Sequence, residues 1–530
     1  MTEVGRVSDV VVCGLPVLGH GGDMPSPPAA SGDRSERVLP AVVRTDRAVG
    51  AIVASAAGDA LGAPHEFGPA LDPSTTLEMT GGGVLGWDPG EWTDDTQTAL
   101  AVLAPLSAGV TAEQLVDAAA EGLLSWFATN PPDVGNQSRA VLSAATELER
   151  PLQSVSAMWC AGHPEASGNG SLMRTGPVAL VHGVDRRERA DLASTISALT
   201  HASEDARDAC VLWTDAVARA ITDAPGPEAD FDWVGHVQAG LDLVRVERQM
   251  VWEQRFDEVR EQTPEDFTPN GYVVTALQAA LAALAHTAVP TVRPAGHLRL
   301  AIERAVRIGD DTDTVAAICG ALAGARWGGS AVPLAWRRTL SGRTPAAGVV
   351  QTAADLECLG RLAFNGGSVD RAGWPEVASM LPAYEAVWPA TPVVGALDEY
   401  VNIGNVFAVR DQLAQTDTVV SLCRMGRDDV GRIVAHHVVG LIDTNAEENP
   451  NLGFVLYDTA EFVADEVAQG RRVFLHCVMA HNRTPTVAAA YLMRTQGLGV
   501  EAALGRAREI TGTTPREFLI AGLEQLGAEE

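Results

Sequence analysis

The sequence predicts a multidomain chain in which an all-α domain is followed by an α/β domain. Three observations carry this. The 530 residues exceed what one hydrophobic core ordinarily organises. From about residue 43 to 335, small apolar residues recur at helical spacing and strand-like alternation is scarce. Beyond Pro392, short β-branched runs alternate with helical stretches, the pattern of a largely parallel sheet.

Residues 1–42 read as a disordered leader, because 19–35 are mostly Gly, Pro, Ser, Ala and charge, with no secretory pattern. The helical domain, 43–335, is typified by residues 50–59, 140–148 and 314–325, whose Ala and Gly faces let helices approach closely. Residues 336–392 form a connector, punctuated by Pro345, Pro382, Pro389 and Pro392, that packs on one or both neighbours. In the α/β domain, 393–530, strands are expected at 419–423, 438–442 and 473–477, and helices at 456–468 and 486–496.

Composition narrows the function. Hydrophobic content of 46% is globular. No apolar run reaches the roughly 18–20 residues that span a bilayer, so no membrane partner is expected. A net charge of −30 argues against non-specific nucleic-acid binding, while leaving room for a local basic groove. All 38 basic residues are arginine, which excludes P-loop lysine and Schiff-base chemistry. Seven scattered cysteines without a C-x-x-C spacing fit reduced thiols in a cytoplasm and no structural zinc.

Two acidic clusters stand out. Thr93-Asp94-Asp95 precedes an apolar helix, and Asp311-Thr312-Asp313-Thr314 repeats that composition before another. Oxygen-only donors suit hard cations such as Mg²⁺ or Mn²⁺, and so many carboxylates together are costly unless a cation neutralises them. Taken singly, each cluster also reads as an N-cap with acids favouring the helix dipole.

These clusters sit among blocks that resemble a known family. Gly58-Asp-Ala-Leu-Gly-Ala-Pro-His-Glu66, Gly90-Glu-Trp-Thr-Asp-Asp-Thr96, Gly168-Asn-Gly-Ser-Leu-Met-Arg174 and Gly309-Asp-Asp-Thr-Asp-Thr314 occur in the order seen in ADP-ribosylglycohydrolases. Asp133-Val-Gly-Asn136, Thr200-His201 and Asn270-Gly-Tyr-Val-Val274 also match, over about residues 45–330. The resemblance implies an all-α fold and two Mg²⁺ (or Mn²⁺) ions that bind ADP-ribose, held by Thr93, Asp94, Asp95, Asp311, Asp313 and Thr314. It implies Glu66 as general base or water-positioning group. Asn169, Gly170 and Ser171 would form a loop close to the ligand, and His201 would bond a ribose or phosphate oxygen. An isolated histidine is also often structural. The substrate would be an ADP-ribosylated protein or a small ADP-ribose derivative.

The second chemical feature is Cys477 at the end of an apolar strand, with Arg483 six positions on at the start of a helix. A five-residue loop there points backbone N–H groups at one phosphate, and the helix N-terminus favours a Cys477 thiolate as nucleophile. Arg483 can grip two phosphate oxygens, and Thr484 can donate a hydrogen bond to the departing thiolate. Asp443, expected at the end of another strand, is placed to act as general acid. A core cysteine at a strand end is the bland alternative; Cys423 is read that way.

His476-Cys477, Arg483-Thr484 and Asp443 together resemble the dual-specificity phosphatases of the cysteine-dependent phosphatase superfamily, over about residues 393–525. That implies a phosphorylated substrate and no cofactor for this domain. Ala480 departs from the pattern, replacing the usual glycine. If its φ is positive, alanine costs about 1 kcal/mol or more. The expected function is a bifunctional hydrolase, the alternative a binding or sensing protein whose phosphatase-like domain is silent.

Overall fold

The computed structural model of the protein describes residues 39–223, 231–346, 348–388, 391–431 and 434–528. Most of the expected leader lies outside the described residues.

Helices dominate as far as Thr339. At their centre the helix Ala41–Gly62 lies on the helix Thr312–Trp327, all sixteen residues of which are buried. Glycines set their separation. A Cβ on Gly58 would stand 2.2 Å from the Ala316 carbonyl oxygen, one on Gly62 2.5 Å from Asp313 Cα, and one on Gly324 2.0 Å from the Gly50 oxygen. The two backbones therefore touch, and the first turn of the second helix meets the last turns of the first. The helix Asp94–Ser107 begins beside this crossing, its Asp95 amide turned toward the Thr93 hydroxyl at the N-cap.

The connector packs on both halves. Leu340, Ala353, Leu356 and Ala363 join the helical core, which thus continues past the expected boundary at 335. Met380, Leu381 and Tyr384 cover one face of the sheet instead. Between these segments a short antiparallel ribbon pairs β1 (Ser341–Arg343) with β2 (Val350–Thr352).

The C-terminal sheet has strand order β3-β4-β7-β5-β6, from β3 (Val394–Ala396), β4 (Val401–Asn405), β5 (Thr418–Ser421), β6 (Ala435–Val438) and β7 (Val473–Cys477). Only the β3 edge pairing is antiparallel. Helices Leu452–Ala468, Arg483–Gln496, Val500–Thr511 and Glu517–Gly527 form the second core against the sheet. The strand expected at 438–442 ends at Val438. The Val439 amide still reaches the Ser421 oxygen at 2.9 Å, but Leu441 then bonds back to Val439, turning the chain off the sheet. Asp443 therefore sits on a loop five residues past the strand (438 to 443), not at its end. No helix among the described residues is long and apolar enough to cross a membrane.

Candidate active sites

The glycine-mediated crossing brings Asp59, a helix residue the sequence reading passed over, into the acidic clusters. One carboxylate oxygen each from Asp59, Asp95 and Asp313 lie within 4.8 Å of one another, and so do those of Glu66, Asp311 and Asp313. Asp313 belongs to both groups. Thr93 Oγ1 stands 3.1 Å from Asp95 Oδ2 and 3.3 Å from Asp313 Oδ2, and Thr314 Oγ1 stands 3.4 Å from Asp95 Oδ2. Asp94 faces Asp133 at the edge of the cluster.

Two asparagines aim Asp311. Asn169 donates to its carboxylate at 2.8 Å, and Asn270 accepts from its amide at 2.9 Å. Asp59 is fixed by the Thr93 and Thr96 amides and the Thr96 hydroxyl, at 2.8, 2.9 and 2.6 Å. Glu66 enters on a short 3-10 turn whose continuation is clasped to the second cluster: Phe67 donates to the Asp310 oxygen at 2.7 Å, and Asp310 to Gly68 at 2.9 Å. Phe67 and Asp310 both have positive φ, so the clasp holds strained backbone beside Glu66 and Asp311.

Electrostatically the cluster is out of balance. Burial and neighbouring carboxylates hold Asp94, Asp95 and Asp313 well above the usual carboxylate range. Burial, with Asp133, Asp311 and Asp94, pushes Glu66 up to about 9, and burial raises Asp59 to about 6. Asp95 Oδ1 is buried without a hydrogen-bond partner. An all-oxygen donor set, two carboxylate triads and an orphaned acceptor fit hard divalent cations.

The shifts fix how a chelator should act. A carboxyl raised on folding costs nothing below its unfolded pKa of about 4, and costs more as pH rises toward its folded value. Adding EDTA to protein in Mg²⁺ should therefore lower Tm more at pH 8 than at pH 6, as scanning calorimetry can measure. An equal drop at both values would contradict the assignment.

Asn169, Gly170 and Ser171 form the expected loop, but its members differ in access. Ser171 is fully buried, its hydroxyl bonded to Ser197 at 2.9 Å. His201 is 2% exposed and lies behind the loop, 3.1 Å from where a Cβ on Gly170 would stand, with Nδ1 2.7 Å from the Thr200 hydroxyl. Burial and Arg174 push its pKa well down, so it is neutral. Arg174 supports the same loop, donating to the Gly170 oxygen at 3.0 Å and to Thr200 at 2.7 Å.

The ADP-ribosylglycohydrolase family profile matches residues 40–365. The chain belongs to the ADP-ribosylglycohydrolase family. It is 28% identical over 307 residues to the ADP-ribosylarginine hydrolase Tri1 of Serratia proteamaculans, covering 56% of this chain and 76% of the relative. It is 30% identical over 298 residues to the ADP-ribosyl-[dinitrogen reductase] glycohydrolase of Rhodospirillum rubrum, covering 55% and 89%. Among solved structures, an ADP-ribosylglycohydrolase-related protein complex aligns at TM-score 0.46 and 26% identity, over 62% of this chain and 99% of that one. Human DUSP28 aligns at TM-score 0.25 and 21% identity, over 26% and 96%.

In the C-terminal half Cys477 ends β7, residues 478–482 form a loop, and Arg483 opens the next helix. Among the described residues, the amides of 478–482 meet no carbonyl or side-chain acceptor. Arg483 donates to the Leu422 oxygen at 2.6 Å, and its Nε is 3.4 Å from Asp443 Oδ2. Cys477, Arg483 and Asp443 thus converge. Thr484 is buried and donates to the Gly404 oxygen at 3.3 Å. Behind Cys477, the Ser421 hydroxyl lies 2.9 Å from His436 Nε2 and 2.7 Å from His476 Nε2, an arrangement with no sequence signal because three separate strands build it. Cys423 is buried and its thiol is pushed up to about 12 by burial, as a core cysteine would be.

Ala480 has φ +57°, the left-handed conformation a glycine would take. The loop therefore keeps its shape and carries the strain. Glycine would relieve about 1–2 kcal/mol, but would lose about 0.8 kcal/mol of methyl burial and about 0.5–1 kcal/mol to chain entropy. These nearly cancel. Urea unfolding of Ala480→Gly should differ from wild type by less than about 1 kcal/mol.

Proposed function

We propose that the chain is a bifunctional hydrolase: its helical half removes ADP-ribosyl groups, and its C-terminal half hydrolyses phosphate esters. The first activity is carried by one observation, the two carboxylate triads that share Asp313. Thr93, Asp94, Asp95, Asp311, Asp313 and Thr314, joined by Asp59, would hold two Mg²⁺ or Mn²⁺ ions. Bound cations would supply Lewis-acid polarisation at the ribose and the scissile bond. With cations held there, their charge would offset the burial and the neighbouring carboxylates that raise Glu66, leaving its carboxylate free to act as the base. It takes a proton from the attacking water as the water oxygen bonds C1″. The C1″–N bond to arginine breaks, and the departing guanidine nitrogen takes up the proton that Glu66 received from the water, restoring the carboxylate. Asn169 and Gly170 bound the ligand side of the site, with His201 and Arg174 beneath them. Arginine is the linkage to test first, given what the Serratia relative is named for.

In the second half, unpaired amides at 478–482 and Arg483 would cradle a phosphate on a phosphorylated substrate. Cys477 Sγ bonds phosphorus, the P–O ester bond breaks, and Asp443 gives its proton to the leaving oxygen. Water then cleaves the S–P bond, releasing phosphate and restoring the thiolate, with Thr484 close by.

The test incubates the full chain with an arginine-ADP-ribosylated peptide and, separately, an aryl phosphate, each in Mg²⁺, Mn²⁺ and EDTA. Release of ADP-ribose only with metal, and of phosphate in all three, is expected. No ADP-ribose under any condition sinks the first half; phosphate-analogue binding without turnover makes the second half a sensor.

A further inference from the structure

The loop that carries Asp443 is built as one unit and fastened to the other half of the chain. Asn449 closes it: its Oδ1 accepts from the Ile442 amide at 2.9 Å, and its Nδ2 donates to the Ile442 and Asn445 oxygens at 2.8 and 2.7 Å. The unit ends at Asn451, the N-cap position of the helix Leu452–Ala468. An asparagine there ordinarily accepts from an amide in the first turn, yet this side chain makes no cap bond. Its Nδ2 instead donates to the oxygen of Trp327 and, at 2.9 Å, to the hydroxyl of Ser330. Ser330 passes the connection on, donating from its hydroxyl at 2.7 Å and its amide at 3.0 Å to Asp46 in the first helix.

The bonds are sheltered, since Asn451 is 6% exposed, and a buried hydrogen bond of this kind is costly to leave unmade. Packing reinforces them. Phe454, in the first turn of the helix Leu452–Ala468, belongs to the helical core, and Asp458 accepts from the Leu334 amide at 2.9 Å. Leu441 packs in the second core, but the loop's polar side-chain contacts with its own half are longer. Arg483 to the Leu441 oxygen and Arg516 to the Thr444 oxygen are each 3.4 Å, at the outer edge of hydrogen-bond geometry, and Arg483 Nε meets Asp443 at 3.4 Å as an ion pair without a hydrogen bond. Past Leu441, the loop's shortest side-chain hydrogen bonds to anything outside itself thus run to the helical half, from Asn451 to Trp327 and Ser330.

We propose that Asn451 is a positioning residue, holding the acid loop on the helical half so that Asp443 reaches the leaving oxygen of a phosphate ester bound at Cys477. This rests on the phosphatase reading above. A general acid must lie within about 3 Å of the oxygen it protonates, so a loop released from this anchor loses acid catalysis while the nucleophile and the phosphate cradle stay whole.

Leaving-group dependence tests this in the full chain. Phenyl phosphate needs its leaving oxygen protonated; 2,4-dinitrophenyl phosphate does not. Asn451→Ala should lower kcat on phenyl phosphate about tenfold or more and leave 2,4-dinitrophenyl phosphate within about twofold. Asp443→Asn should show the same split, only larger. Ser330→Ala, which keeps the bond to Trp327, should move the same way by less, and serves if Asn451→Ala folds poorly. Hydrogen exchange across 441–451 should accelerate in Asn451→Ala with β7 unchanged. An equal fall on both esters, or no fall, overturns the proposal. Should wild type hydrolyse neither ester, the phosphatase reading falls separately, and unchanged exchange at 441–451 would then remove the anchor as well.

Discussion

Asp313→Asn is expected to lower kcat/KM for arginine-linked ADP-ribose about a thousandfold or more, the scale of several kcal/mol of cation-derived stabilisation. No other carboxylate stands in both triads, so this change weakens both cation positions at once. A second signature separates loss of the site from loss of the fold. Burial, Asp95 and Glu66 hold the Asp313 carboxyl well above its usual range. Its ionised form therefore opposes folding above the unfolded pKa of about 4. A neutral amide of the same shape removes that opposition, so metal-free Asp313→Asn should melt higher than metal-free wild type at pH 8. The further rise that Mg²⁺ brings to wild type should vanish. Wild-type turnover in Mg²⁺ by this variant would rule out the shared-carboxylate site.

The parts of this site visible in the sequence are those where the chemistry is local. Asp94 and Asp95 are adjacent in the first turn of one helix, and Asp311 and Asp313 flank Thr312 at the start of another, so composition alone exposes them. Asp59 is a different case. It is one carboxylate inside an apolar helix, and its role depends on Gly58 and Gly62 letting that helix touch the backbone around Asp313. The signal was present, an acid flanked by small residues in an apolar helix, but its partner lies 254 positions away (313 − 59). His201 and Ser171 show the reverse limit: a motif marks the loop they support, and only packing decides which members face the cavity. In the second half, the apolar run 438–442 reads as a strand, but the ladder ends at Val438 and only Val439 and Leu441 of the run are buried. Apolar residues can be covered without pairing, whereas a strand needs a ladder. Helices beginning at Leu452 and Arg483 start earlier than expected: the first turn at Leu452 packs Phe454 into the helical core and Val455 into the second, and the first turn at Arg483 closes the Cys477 loop.

Cys477→Ser should abolish aryl phosphate turnover, by about 10⁴-fold or more, and leave release of ADP-ribose unchanged. The separation follows from where the residue sits: Cys477 belongs to the second hydrophobic cluster, while Asp313 stands at the opposite end of the helix that meets the acid loop. Serine fits the space of cysteine and keeps the amides of 478–482 and the guanidinium of Arg483 in place. The variant should therefore still bind inorganic phosphate in calorimetric titration, whereas Arg483→Lys should bind it more weakly, because an ammonium cannot match a two-pronged grip. Turnover that survives in Cys477→Ser would move the nucleophile elsewhere. Phosphate affinity lost together with turnover would mean that the thiol shapes the loop, and the assignment of the cradle to backbone amides and Arg483 would have to be abandoned.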